Sequence, residues 1–298
     1  MIQGLFDIQF RLDDLTKNGD PLVRLNERVN WEVFRPELER VREKERKSNA
    51  GRKPFDAVLM FKILVLQSLY NLSDDAVEYQ VRDRLSFMRF LGLGIGDRVP
   101  DAKTIWLFRE QLGQAKLVKR LFRKFDRYLR EQGFTARTGQ IVDASIVPVP
   151  IQRNSREENR QIKEGDVPQE WSEAKRRQKD THARWSARSH KHAYGYKNHI
   201  SIDARHKLIR DYVVTDAAVH DSRVFGDLLD ETNTSRDVWA DSAYRSEENR
   251  AVLQQRGYRE HLQRKGCRHK KLTDWERQGN RTRSRIRCRI EHVFGVQA

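Results

Sequence analysis

Gln140-Ile-Val-Asp-Ala-Ser-Ile-Val147 is the stretch on which the reading of this chain turns. It is an apolar, β-branched run with the pattern of a buried strand, and Asp143 interrupts it where an ionised carboxylate is costly to desolvate. Asp241 closes a second such run, Asp237-Val-Trp-Ala-Asp241, and Glu291 lies in the helical pattern Arg285-Ile-Arg-Cys-Arg-Ile-Glu-His-Val-Phe294. Taken singly, each acid reads as a hydrogen-bonded or salt-bridged group at a strand end or on a helix surface. Taken together, two strand acids and one helix acid make the layout of a two-metal phosphoryl-transfer site, in which divalent cations offset the burial of negative charge.

The segments around these acids predict an α/β fold. After the first strand come Pro148-Val-Pro150 and a polar stretch of mixed charge, about 152–190, which reads as a mobile basic and acidic loop. Tyr194-Gly-Tyr-Lys-Asn-His-Ile-Ser-Ile-Asp203 and Leu208-Ile-Arg-Asp-Tyr-Val-Val-Thr215 then read as an antiparallel hairpin. Residues 220–229 predict a helix, 238–241 a strand, 246–256 a helix and 258–262 a short strand. Strand, hairpin, helix, strand, helix, strand, helix is the element order of a ribonuclease-H-like domain. Its mixed sheet would set the first strand beside the fourth, making Asp143 and Asp241 neighbours.

Upstream the period changes. Residues 55–70 are apolar nearly all round, as in a buried helix. Ser73-Asp-Asp-Ala-Val-Glu opens a second helix with a capping serine and acids in its first turn. Gly92, Gly94 and Gly96 break the chain before helical patterns at 100–112 and 117–132. An all-α N-terminal domain, 1–135, is therefore expected ahead of the mixed-sheet domain, 136–298, the switch being bracketed by Gly133 and Gly139. The helices fit a helix-turn-helix reader of DNA and a dimerising bundle equally well.

Lys and Arg outnumber Asp and Glu by 59 to 43, a formal net charge of +16, which points to a polyanionic partner such as nucleic acid. Cys267 and Cys288 lack the spacing of a disulfide framework, the N-terminus lacks a basic leader, and the longest apolar patch is broken by Lys62. A soluble intracellular protein with no membrane partner is expected. Eleven Lys or Arg against two acids fill residues 263–290, among them Lys270, Lys271, Arg283, Arg285 and Arg287. Arginines at alternate positions sweep around a helix axis, so several can reach phosphates just ahead of Glu291.

Five blocks resemble the catalytic half of the DDE transposases of the insertion sequence 5 family, within the insertion sequence 4/5 superfamily: Ile141-Val-Asp143-Ala-Ser, Tyr194-Gly-Tyr-Lys197, Ala218-Val-His-Asp-Ser222, Trp239-Ala-Asp241-Ser-Ala-Tyr244 and Arg287-Cys-Arg-Ile-Glu291-His-Val-Phe. Gly51-Arg-Lys-Pro-Phe-Asp with Met60-Phe-Lys-Ile-Leu64, and Pro100-Asp-Ala-Lys-Thr-Ile-Trp with Phe108-Arg-Glu-Gln-Leu112, resemble the helical N-terminal domain of the same proteins. The resemblance implies that Asp143, Asp241 and Glu291 hold two Mg²⁺ ions, with Mn²⁺ able to substitute. They would cut a transposon end to free a 3′-hydroxyl and join it to target DNA, in a homodimer bound to duplex DNA at the bacterial nucleoid in the cytoplasm. It also implies DNA contacts from Arg287, Lys197, Arg283, Arg285, Lys270 and Lys271, with His220, Asp221, Tyr244 and His292 as accessories.

The match has departures. A Tyr-Arg-Glu-Lys signature of related transposases is met by Arg287 and Glu291 but falls on Ser284 and Ala298 at its ends, so the chain resembles a shortened product whose last helix is truncated. The alternative is an inactive transposase that only binds DNA. Among other groups, Cys267, His269, Cys288 and His292 do not have zinc-finger spacing. Asp221 reads first as a helix cap, His292 projects about 100° from Glu291, and Arg287 with Glu291 reads first as a helical ion pair.

Overall fold

The computed structural model describes residues 6–42, 53–188, 191–267 and 269–297. The chain divides into two compact units, Met1–Gln132 and Gly133–Ala298.

All regular elements described in the first unit are helical: α1 (Asp7–Lys17), α2 (Pro21–Arg28), α3 (Arg35–Glu39), α4 (Ala57–Leu69), α5 (Asp74–Asp83), α6 (Leu85–Leu91), α7 (Ala102–Gln114) and α8 (Val118–Glu131), with short 3₁₀ turns beside α3. Asp56, Ser73 and Asp101 begin α4, α5 and α7 by accepting backbone N–H groups that a helix start leaves unpaired. The core gathers on α4, whose Met60, Ile63 and Leu66 are buried with Phe34, Phe87, Phe90 and Ile105. The second helix opened by Ser73 ends sooner than its pattern suggests. Arg84 is extended, and the chain restarts as α6 before Gly92 closes it at φ 74°.

The second unit is a mixed sheet with helices on both faces. Its strands are β1 (Gln140–Pro148), β2 (Arg184–Arg188), β3 (Lys191–Asp203), β4 (Ile209–Asp216), β5 (Asp237–Ala240) and β6 (Arg259–Leu262). β3 runs antiparallel to both β1 and β4, as in the expected hairpin, while β5 lies parallel to β1 and β6 parallel to β5. Gly139 admits this pairing: at φ 87°, a Cβ there would sit 2.5 Å from the Trp239 ring and 2.7 Å from the Asp237 carbonyl.

Period-two alternation sorts each strand between two cores. Val142, Val238 and Ala240 face Val224, Phe225 and Leu228 of a 3₁₀ helix, Asp221–Leu228, and Leu253 of α11 (Glu247–Gln255). Ile141, Ile200, Ile202 and Trp239 face the opposite way and bury Ile290. Ile290 belongs to α13 (Arg289–Gln297), which follows α12 (Asp274–Arg287) across a break at Cys288, where one continuous helix had been expected.

The stretch expected to be a mobile loop is a built insertion. α9 (Arg156–Glu164) and α10 (Glu173–Gln178) precede β2. Ser155 and Glu158 form a reciprocal capping box, and Glu158 also accepts from the buried Trp171 indole and from Lys175, at 2.6 Å each. Order here comes from caps, the Trp171 anchor and the buried aliphatic Ile162, a set too small to register in the average hydrophobicity. Residues 189 and 190 of the expected loop lie outside the described residues. No described helix is long and apolar enough to cross a membrane.

Candidate active site

Asp143 follows Ile141 by two on β1, so it points to the Ile290 side of the sheet, as Trp239 does on β5. In the parallel register Val142 lies opposite Ala240. Asp241, still extended at φ −75° and ψ 177°, continues β5 on the same side as Asp143. Its side chain also accepts from the Ala243 amide at 2.7 Å. The two carboxylates are near enough for Asp241 to disfavour ionisation of Asp143. Burial is the larger cause, and with Arg287 and the Ala144 N–H opposing it, Asp143 is pushed up to about 6.

The third acid is held by a different route. Gln263 at the end of β6 donates to Ser284 at 2.6 Å, Arg264 and Asn280 exchange backbone and side-chain bonds, and Arg289 donates to the Ala204 carbonyl at 2.8 Å. With Ile290 sunk into the sheet core, these contacts carry Glu291 to the site's edge. Its side chain remains 62% exposed. Arg287 joins them: Nη1 donates to Asp143, and Nη2 donates to Glu291 at 3.0 Å. The helical ion pair is therefore present, with Asp143 added as a second partner.

This arrangement fits a cation in part. Asp143 and Asp241 supply oxygen donors from adjacent strands, a donor set suited to a hard divalent ion, and burial leaves negative charge there in need of a counter-charge. Arg287 supplies that counter-charge here. Among the described residues no three His, Cys, Asp or Glu side chains come together closely enough to hold a metal ion. That applies to the carboxylate trio as it stands and to the Cys267, His269, Cys288 and His292 set.

The other expected residues scatter. Lys197 is engaged within the chain: its ammonium donates to Asp221 at 2.8 Å and to the Val219 carbonyl at 2.6 Å, with both side chains nearly buried. Asp221 is therefore not the helix cap; His220 accepts from the Ser222 amide in that role. Tyr244 is fully buried against Phe225, which places it beneath the site instead of on its surface. Arg285, Lys270, Lys271 and His292 are exposed, and Arg283 is half-buried beside Asn280.

A polar cleft of about 560 Å³ opens beside the turn that follows β5, lined by Lys197, His220, Ser242, Arg245 and Lys265. The last two escaped sequence reasoning because a basic residue after a strand end has no pattern that distinguishes it from ordinary surface charge.

Comparison with known families follows the same division of the chain. The model described as a transposase domain, DUF772, matches residues 10–111, and the model described as a transposase DDE domain matches residues 134–296. No solved structure matches the chain. Two aspartates on neighbouring strands and a glutamate on a facing helix lie within the second match, which takes in more than half of the 298 residues, and the chain belongs to the DDE-domain transposases.

Proposed function

We propose that this transposase is a member of the insertion sequence 5 family that cleaves and joins DNA strands on a ribonuclease-H-like sheet, with Asp143, Asp241 and Glu291 holding two Mg²⁺ or Mn²⁺ ions. The observation that carries the reading is the shared face of Asp143 and Asp241 on adjacent parallel strands, under the helix of Glu291. The strand order β4-β3-β1-β5-β6 supports the ribonuclease-H-like reading, because it is the arrangement that brings the first and fourth strands of the ordinary topology together.

Cations held by these acids would supply a lowered pKa for an attacking water or 3′-hydroxyl and charge neutralisation for the leaving oxygen. The chain's own part is positional. Asp143 and Asp241 are fixed by sheet register, and Glu291 by the packing of Ile290. Arg287 balances the acids and, when drawn off Asp143, offers a planar fork suited to a backbone phosphate. Arg283, Arg285, Lys270 and Lys271 add positive charge along the approach. Two transposon ends would be paired by a homodimer.

A second reading, a protein that binds transposon ends without cutting them, is favoured by one observation: the Arg287 guanidinium already takes Asp143 and Glu291. Incubation with Mg²⁺ and duplexes carrying the inverted repeats that flank the gene separates the two. Nicks ending in 3′-hydroxyls, lost in Asp143→Asn with binding retained, support catalysis. Binding by the unsubstituted protein with no nick in Mg²⁺ or Mn²⁺ supports the second reading.

A further inference from the structure

α8 has the sequence Val118-Lys-Arg-Leu-Phe-Arg-Lys-Phe-Asp-Arg-Tyr-Leu-Arg-Glu131. At about 100° per residue, Arg120, Arg123, Lys124 and Arg127 fall within an arc of roughly 100°, while Leu121, Phe122, Phe125 and Tyr128 fall on the other side. The helix cannot roll to hide the basic face. Leu117 and Leu121 are buried in the unit's core, and the Tyr128 hydroxyl donates to the Arg28 carbonyl at 2.8 Å.

An ordinary solvated helix face mixes signs so that neighbours three or four apart pair, as Arg82 with Glu78 and Arg160 with Glu157 do in this chain. The α8 face does the reverse. Arg120 with Lys124, and Arg123 with Arg127, are like charges four apart, an arrangement that weakens an isolated helix. Glu37 reaches Arg120 at 3.5 Å, but Arg123, Lys124 and Arg127 have no carboxylate partner among the described residues. With Glu37 these four cations line a shallow recess of about 260 Å³.

Beyond the Glu37 contact, a stripe that repels itself gains from an anionic partner laid along it. From Arg120 to Arg127 it runs about 10 Å along the helix axis, and duplex DNA carries one negative charge per ~1.7 Å of its own axis. We propose that the Arg120–Arg127 face of α8 is a duplex-DNA backbone contact of the first unit, separate from the contacts of the catalytic unit. The inference rests on the DNA-transacting function proposed above, and reads phosphates rather than base sequence.

The test is fluorescence anisotropy of the full chain with a labelled 30-base-pair duplex of arbitrary sequence, titrated from about 50 to 400 mM NaCl. Losing three phosphate contacts lowers the salt slope of log K by about 0.9 each, or roughly 2 to 3 in all. Arg123→Gln/Lys124→Gln/Arg127→Gln is expected to show that loss, with binding near 0.1 M salt weakened ~100-fold or more. Arg123→Lys/Arg127→Lys, which keeps the charges, should retain the slope. Arg123 and Arg127 are exposed and Lys124 is half-buried, and thermal melts confirm that each variant is folded. If the unsubstituted protein binds with a steep slope and the triple variant keeps it, this surface is not the contact, and the DNA function stands. If the unsubstituted protein does not bind duplex DNA at all, both proposals fail.

Discussion

Asp143→Asn should make the protein more stable while removing the proposed activity. The Asp143 side chain is 14% exposed, and its carboxyl is pushed from 3.8 up to about 6, chiefly by burial. A rise of roughly two units is worth about 3 kcal/mol between the two protonation states. The sign follows from linkage. A carboxyl raised in the folded state holds its proton more tightly there, so its favourable share is fully present below about pH 3.8 and is lost as pH rises through about 6.

At pH 7.5 the charged group therefore costs the fold about 3 kcal/mol. Asparagine keeps the shape and an acceptor for the Ala144 N–H, at 2.9 Å, but gives up the charge that Arg287 now neutralises, leaving Arg287 with Glu291. Allowing for that loss, a net gain of ~1–3 kcal/mol remains, a rise of roughly 3–9 °C in melting temperature for a unit of this size. Urea and thermal unfolding with EDTA at pH 7.5 and pH 4 would measure it. The gain should shrink to a fraction at pH 4, and Mg²⁺ should stabilise the unsubstituted protein while leaving the Asn variant unmoved. An Asn variant no more stable at pH 7.5, or equally favoured at both pH values, would refute the idea that Asp143 is an acid held at a cost.

Three further expectations follow from packing. Gly139→Ala should cost 2 kcal/mol or more, as about the least that strain at positive φ plus a Cβ against Trp239 and the Asp237 carbonyl implies; denaturant melts read it, and nicking should fall with it because the β1–β5 pairing sets the two aspartates. Lys197→Met should lose about 3–5 kcal/mol by stranding the buried Asp221, whereas Lys197→Met with Asp221→Leu should recover most of it, a coupling that a double-mutant cycle in urea measures. Trp171→Ala should expose the insertion to trypsin at its many Lys and Arg residues, since the ring is 4% exposed and anchors Glu158; cleavage unchanged from the unsubstituted protein would show that the anchor is dispensable.

Much of the fold was legible because local patterns and tertiary demands agreed. The β-branched run at 140–147, the hairpin at 194–215 and the capping serine at 73 each satisfy their backbone groups in one evident way, and the structure places strands and a helix start there. The insertion is hard to read for the opposite reason. It is held by the Ser155–Glu158 capping box and by the buried Trp171 and Ile162, few groups among many charges, and average composition conceals them. Lys197 shows a different limit. Its partner Asp221 is 24 residues away, and no periodicity predicts a pairing made by the return of the chain.

Sequence alone determined that acids interrupt two strands and a helix, because a carboxylate among Ile, Val and Trp is conspicuous wherever the chain goes. It determined the faces too, through the period of two along β1 and β5. Tertiary structure decided adjacency and state: β5 lies beside β1 because β3 and β4 fill the other flank. Arg287 lies between Asp143 and Glu291 because Ile290 pins the helix over the sheet. Side-chain chemistry is local and can be read residue by residue, whereas the balance of buried charge depends on which distant groups the packed core brings within reach.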